Sequence, residues 1–352
     1  MKFHLSAEQE ALQDSILRTV QRACPSERRR ALLDAATDFD RGVWDALMEV
    51  GLGGLLIPEE HGGVELGLEE AALAFETLGQ QATPGPYMGH VLAGWALAQS
   101  DDEALKSKWL ARLAGGEAVA AVALEGWTPE DWRLELKDGR ITGQIGLVPG
   151  ADQADLLIIG VSGGLAIVEK GAEVAIEPIN GSDLTRRLWR VNLSDAPATL
   201  IPSNSLGQRL VDAALVLIAA GALGGAEQCL TMSVGYAKQR EQFGVVIGQF
   251  QGLKHQLANM ALEVEPARAL VWYAAYAWDL VLPDSSRVAA HAKAHLADRF
   301  VSVTRMAVQA HGGIGYTWDY DLQIWFRRSL FDRAFMGAPS LHRARVAEMA
   351  GW

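Results

Sequence analysis

Residues 236–261 read YAKQREQFGVVIGQFQGLKHQLANMA, and residues 307–329 read AVQAHGGIGYTWDYDLQIWFRRS. In the first stretch Arg240 precedes Gln242-Phe243-Gly244, and Gln251 opens a new helical run. In the second, a helical run closes on Gly312-Gly313-Ile314-Gly315. Glycines after a helix often make only a C-cap and a turn. They also let backbone N–H groups approach a phosphate or a base, because no Cβ intervenes. Both stretches lie within long segments bearing apolar stripes at helical intervals, 209–240, 252–280 and 285–310. Long helical segments with short connections predict a four-helix-type bundle.

Upstream of the bundle the texture changes. AVAAVAL (118–124), ADLLIIGV (154–161), GLAIVE (164–169) and AEVAIEPI (172–179) are short, Val- and Ile-rich runs separated by turn residues, which read as strands. Before them lie helices broken by Gly and Pro. The first begins where Ser6 stands three residues before Gln9, a capping-box spacing. The fold class expected is therefore α+β in three parts: an N-terminal helical domain (1–117), a small central β domain (118–205) and a C-terminal four-helix bundle (206–352).

The chain has 352 residues, 49% of them hydrophobic and 21% charged, with a net charge of −12. An acidic balance argues against an extended nucleic-acid surface, which needs a cationic footprint, though not against an anionic small ligand held by local arginines. Cys24 and Cys229 are far apart and form no metal or redox spacing. His291 and His295 stand at i, i+4, but no third ligand accompanies them, and they are read as a packed or surface pair. The N-terminus lacks an apolar signal core, and the most apolar run, residues 213–226, is shorter than a membrane span. A cytoplasmic protein without a membrane span is expected.

Taken together, the two opening stretches and the segment LMEVGLGGLLIPEEHGGVELGLEEAALAFETLG (47–79) resemble the acyl-CoA dehydrogenase family over nearly the whole chain. The resemblance implies that family's three-part fold and FAD as cofactor, held at a subunit interface. One subunit grips the flavin ring with its central domain. The neighbour's bundle supplies an arginine, a phenylalanine and a Gln-x-x-x-Gly segment to the pyrophosphate and adenosine end. Those positions match Arg240, Phe243, Gln309 and Gly313, with Gly312 beside them. A guanidinium suits phosphate oxygens, and glycine lets them reach the main chain.

The ring side departs from the family's pattern. Where a Thr-Glu-Pro-x-x-Gly-Ser-Asp segment is expected the chain has ALEGWTPED (123–131), and Leu147, Val148 and Pro149 replace Trp-Ile-Thr. Proline has no N–H to donate, and none of the three side chains can hydrogen-bond a flavin. The carboxylate that removes the α-proton of the thioester is missing too. Its two family positions fall on Met336 and Ala214, and neither side chain can take a proton. Asp212 is the nearest substitute, but two residues along a helix is about 200° of rotation, so it should point away, in a helix N-terminal or solvent-facing role. Glu227 is more distant still.

The resemblance implies a subunit of a heteromeric, α2β2 acyl-CoA dehydrogenase, inactive alone, with a paralogous subunit supplying the base and the ring site. The substrate would be an acyl-CoA with a bulky acyl group such as a steroid side chain, and the acceptor an electron-transfer flavoprotein or similar. Two alternatives stand beside it: a self-sufficient homomeric enzyme using Asp212, and a flavin-free acyl-CoA-binding or scaffold relative.

Overall fold

A computed structural model of the chain describes residues 4–352. Six helices come first: α1 (Ala7–Ala23), α2 (Ser26–Asp34), α3 (Arg41–Glu49), α4 (Leu68–Gln80), α5 (Tyr87–Ala98) and α6 (Glu103–Ala114). The capping box opening α1 forms as its spacing predicts: Gln9 N donates to Ser6 Oγ at 3.2 Å, and Ser6 N donates to Gln9 Oε1 at 3.0 Å.

Eight strands follow: β1 (Ala120–Ala123), β2 (Leu136–Lys137), β3 (Arg140–Pro149), β4 (Leu156–Val161), β5 (Gly164–Glu169), β6 (Val174–Ile179), β7 (Leu188–Pro197) and β8 (Thr199–Pro202). They form two four-stranded sheets, ordered β1-β4-β5-β8 and β2-β3-β7-β6. β1 runs parallel to β4, with Ala120 opposite Leu156, and the other pairings are antiparallel. Period-2 alternation divides β4 between two cores. Leu156 and Ile158 join the helical core, while Leu157, Ile159 and Val161 pack toward the second sheet. A strand buried on both faces reads as an unbroken apolar run, and LLIIGV does.

The C-terminal part consists of α7 (Asn204–Gln239), α8 (Gln251–Asp279), α9 (Ser285–His311), α10 (Leu322–Ala334) and α11 (Pro339–Met349). α9 packs against α7, α8, α10 and α11, and α7 also packs along α4 of the N-terminal part. The α4–α7 crossing is too close for side chains. A Cβ on Gly224 would stand 1.8 Å from the Glu76 carbonyl oxygen, and one on Gly79 would stand 2.1 Å from that of Gly221. One correction concerns hydropathy: residues 205–239 are long and apolar enough to cross a bilayer by length and composition. In the fold, however, 89% of the most apolar stretch is buried inside the protein, as in a core helix.

Candidate functional site

A cavity of about 500 Å³ opens between the N-terminal helices, the β domain and the bundle. Its wall includes Phe75 of α4, Tyr87 of α5, Leu147 of β3, Ala214 and Gly221 of α7, and Met336 just after α10. Ala214 and Met336 thus stand on one cavity although 122 positions separate them in sequence. Met336 has φ +54° and Gly337 φ +99°, so the chain turns sharply there. His342 holds the turn, its Nε2 donating to the Met336 carbonyl at 2.8 Å. Burial pushes the His342 imidazole down to about 4, which keeps it neutral near pH 7 and leaves its buried Nδ1 without a partner.

Among the described residues lining this cavity, Glu125 carries the one carboxylate. It is exposed and accepts the Arg133 backbone N–H at 3.3 Å. Nothing in the sequence around Glu125 marks it as a cavity residue. Asp212 does not line the cavity. It is 2% exposed, so the solvent-facing role expected of it is corrected. Its oxygens accept bonds from Gln208 Nε2 at 2.7 Å and from Ser286 Oγ, with Arg345 Nη2 at 3.8 Å. Burial raises its pKa. Glu227 pairs with Arg268 at 3.2 Å, a guanidinium it shares with Glu76.

The β3 segment facing the cavity offers a flavin ring few donors. A register shift between Ile145 and Val148 leaves Leu147 at φ +58° and 54% exposed. Val148 is buried and pairs with Trp189, and Pro149 has no N–H. The nearby Gln144 Nε2 already gives one of its N–H groups to Asn192 Oδ1 at 2.7 Å. These residues do not fit a flavin ring.

The opposite end of α7 differs. Ala214 and Arg240 are 26 residues apart, about 39 Å at 1.5 Å per residue. Arg240 caps α7, its N–H donating to Tyr236 O at 2.8 Å, and its exposed guanidinium makes no hydrogen bond or ion pair among the described residues. It leads into a two-residue hairpin of β9 (Glu241–Gln242) and β10 (Val245–Val246), at whose tip Phe243 is 93% exposed with φ +55°. His311 ties the ends of α7 and α9 together, stacking 4.6 Å from Tyr236 while its Nδ1 meets Ala307 O at 2.8 Å. Gln309 is therefore exposed on the same end, followed by Gly312 and Gly313, where an added Cβ would meet nothing within 4 Å. An unpaired cation, an exposed ring and glycines that permit close approach fit the anionic tail of a dinucleotide, with the Gly312 N–H itself donating to the Gln309 and Val308 carbonyls.

Residues 6–117 match the acyl-CoA dehydrogenase N-terminal domain, and residues 209–351 match the acyl-CoA dehydrogenase C-terminal domain. The chain belongs to the acyl-CoA dehydrogenase family. Members of this family are FAD-dependent oxidoreductases acting on CoA thioesters. This family member is 33% identical over 340 residues to acyl-CoA dehydrogenase IpdE2 of Mycolicibacterium smegmatis, covering 95% of this chain and 96% of that one. It also resembles a chain in the structure of the Tcur3481-Tcur3483 steroid ACAD G363A variant, with a TM-score of 0.91, 25% identity and 98% of each chain covered. A chain in the structure described as the electron transferring flavoprotein of Acidaminococcus fermentans is similar at a TM-score of 0.88, 26% identity and 99% coverage of both.

Proposed function

We propose that this acyl-CoA dehydrogenase chain is the subunit of a hetero-oligomer that contributes the flavin's tail site, and that a related subunit contributes the base and the ring site. The observation carrying this reading is the split along α7. At one end the two expected base positions open on the cavity as a methyl group and a thioether. At the other, Arg240, Phe243, Gln309, Gly312 and Gly313 are exposed on this chain. In such an assembly FAD would supply the hydride acceptor for α,β-dehydrogenation. This chain's part would be to neutralise pyrophosphate charge with Arg240, cover the dinucleotide with Phe243 and permit its close approach at Gly312–Gly313. Likeness to a steroid ACAD described by two chain names supports both an unlike partner and a bulky acyl group. The likeness to a chain from an electron transferring flavoprotein structure supports that class of acceptor.

A self-sufficient homomeric enzyme is the second reading. Its support is Glu125, the carboxylate on the cavity wall. Flavin stoichiometry decides between the two. The chain expressed alone should carry little flavin, and co-expression with the partner should give one FAD per pair of unlike chains. A homo-oligomer with one FAD per chain and full activity would overturn the division of labour.

A further inference from the structure

Two arginines on the cavity wall take no part in the reading above. Arg328 of α10 and Arg186, in the turn before β7, both line the cavity. Arg186 has counter-ions: its Nε donates to Asp183 Oδ2 at 2.9 Å and its Nη1 to Asp332 Oδ1 at 2.7 Å, while its buried Nη2 has no partner among the described residues. Arg328 has none. It is 7% exposed, and its Nη1 reaches only neutral acceptors, the Thr83 carbonyl at 3.3 Å and Thr185 Oγ1 at 3.0 Å. Among the described residues no carboxylate lies within ion-pairing distance of it, Nη2 makes no hydrogen bond, and buried Nε has no partner.

The surrounding charges do not cancel. Lys293 is 1% exposed and donates to the carbonyls of Asp332 and Gly337. Arg186, Arg328 and Lys293 are three cations against the two carboxylates Asp183 and Asp332, leaving one positive charge in excess. Arg29 and Arg30 share the one carboxylate of Asp321, at 3.0 and 2.6 Å, so that neighbouring cluster supplies no spare negative charge either. Glu125 is exposed and takes its bond from Arg133 rather than from either arginine. Burial, then the charge of Arg186, pulls the Arg328 pKa down to about 10, so it stays cationic near pH 7. A buried cation without a counter-ion is destabilising unless something satisfies it. The rest of the wall is largely apolar, with Leu78, Leu92, Leu217 and Phe331 among its residues.

We propose that this cavity binds a bulky apolar carboxylate, its anionic oxygens received by Arg328 with Arg186 behind it, whether the ligand is a free acid or an acyl thioester carboxylated at its far end. The site stands on this chain's own residues and needs no flavin or base. It therefore survives or fails independently of the subunit reading, which flavin stoichiometry tests.

The experiment is isothermal titration of the full chain with two matched pairs of probes. One pair is 1-adamantanecarboxylate and 1-adamantanecarboxamide, and the other is adipoyl-CoA and hexanoyl-CoA. The carboxylate of at least one pair should bind tenfold or more tightly than its neutral counterpart, and Arg328→Gln should abolish that preference. Preference within the adamantane pair alone assigns a free acid; preference within the thioester pair assigns a carboxylated acyl group. The comparison of acid with neutral probe stands on the unaltered chain even if the variant folds poorly, and Arg328→Lys, which keeps the charge, should retain part of the preference. Equal affinities within both pairs, no binding of any probe, or a preference unchanged in well-folded Arg328→Gln would overturn the assignment.

Discussion

Asp212→Asn separates a structural carboxylate from a catalytic one. In the fold Asp212 is locked between Gln208, Ser286 and Arg345, away from the cavity wall. The amide keeps the volume but retains only one acceptor oxygen, so one of the two side-chain bonds is lost and Arg345 loses its nearby anion. Hydrogen bonds to charged groups contribute about 1.5–3 kcal/mol each. Part of that is offset because burial already disfavours the ionised carboxyl. A net destabilisation of about 1–2 kcal/mol follows, or a few degrees in Tm. Turnover per bound flavin should not change, because the side chain cannot reach a substrate carbon from where it stands. In the proposed hetero-oligomer, replacing the partner's base carboxylate by its amide should lose about 10²–10⁴-fold, the usual contribution of a positioned base. The assay is steady-state dehydrogenation of a CoA thioester by co-purified complexes, normalised to flavin content, beside thermal melts of the same samples. Collapse of turnover in Asp212→Asn at normal flavin content would refute the reasoning and bring the base onto this chain.

Arg240→Ala should leave the melting temperature of the chain unchanged, since its guanidinium has no partner here among the described residues, while loosening FAD in the complex. The loss of a charge-assisted bond to phosphate corresponds to roughly ten- to a hundredfold, measured by flavin fluorescence on dilution, and undiminished retention would count against the tail assignment. His90 is wholly buried, its Nε2 donating to Leu113 O at 2.9 Å and its Nδ1 accepting from Ala120 N at 3.2 Å, and burial lowers its pKa from 6.5 to about 4. The unfolded chain binds the extra proton first, so stability falls as pH drops from 6.5 toward 4, by about 2 kcal/mol at pH 5. His90→Gln keeps a donor and an acceptor without titrating, so denaturant titrations at pH 7.5 and 5 should show the variant gaining that much on the wild type; a constant gap would refute the argument. Gly224→Ala puts a methyl 1.8 Å from the Glu76 carbonyl oxygen, and should destabilise the α4–α7 contact by about 3 kcal/mol or more, at or above the usual cost of overpacking; a melt like that of the wild type would mean the helices can part freely.

Features encoded locally were legible in the sequence. The Ser6–Gln9 cap, the helix running through Pro266 and the doubly buried β4 each follow from a periodicity or a cap spacing. β3 and β7, each ten residues long, carry no legible strand signal. β3 is broken by two register shifts and by Gly143 and Gly146, and β7 carries Asp195 at φ +56°, so neither keeps a clean alternation over its length. The residues proposed for the dinucleotide tail are legible as candidates because they cluster in two short stretches. Arg328 is not, because what marks it is the absence of a carboxylate near it in space. Its hydrogen-bond acceptors lie 245 and 143 positions earlier in the chain.

The two ends of α7 place opposite demands on the sequence. Around Ala214 the helix is buried against its neighbours or faces the cavity, which requires a largely apolar surface, broken by the hydrogen-bonded Asp212, and, against α4, glycine. Around Arg240 the demand reverses. Phe243 and Phe250, in the segment that follows the unpaired Arg240, leave aromatic surface in solvent at 93% and 41% exposure, and Tyr316 and Trp318 after α9 are exposed at 79% and 43%. Burial of apolar area is worth about 25 cal/mol per Å², so side chains of this size left exposed forgo several kcal/mol that another surface can recover. Exposed apolar surface beside charge is the usual mark of an interaction site. The local packing cannot explain Phe243, whose positive φ is a strained backbone state for a side chain that touches little besides Phe250, at 6.1 Å between rings. Strain carried by an exposed residue calls for a role outside the chain, and cover over a dinucleotide shared with a second subunit supplies one.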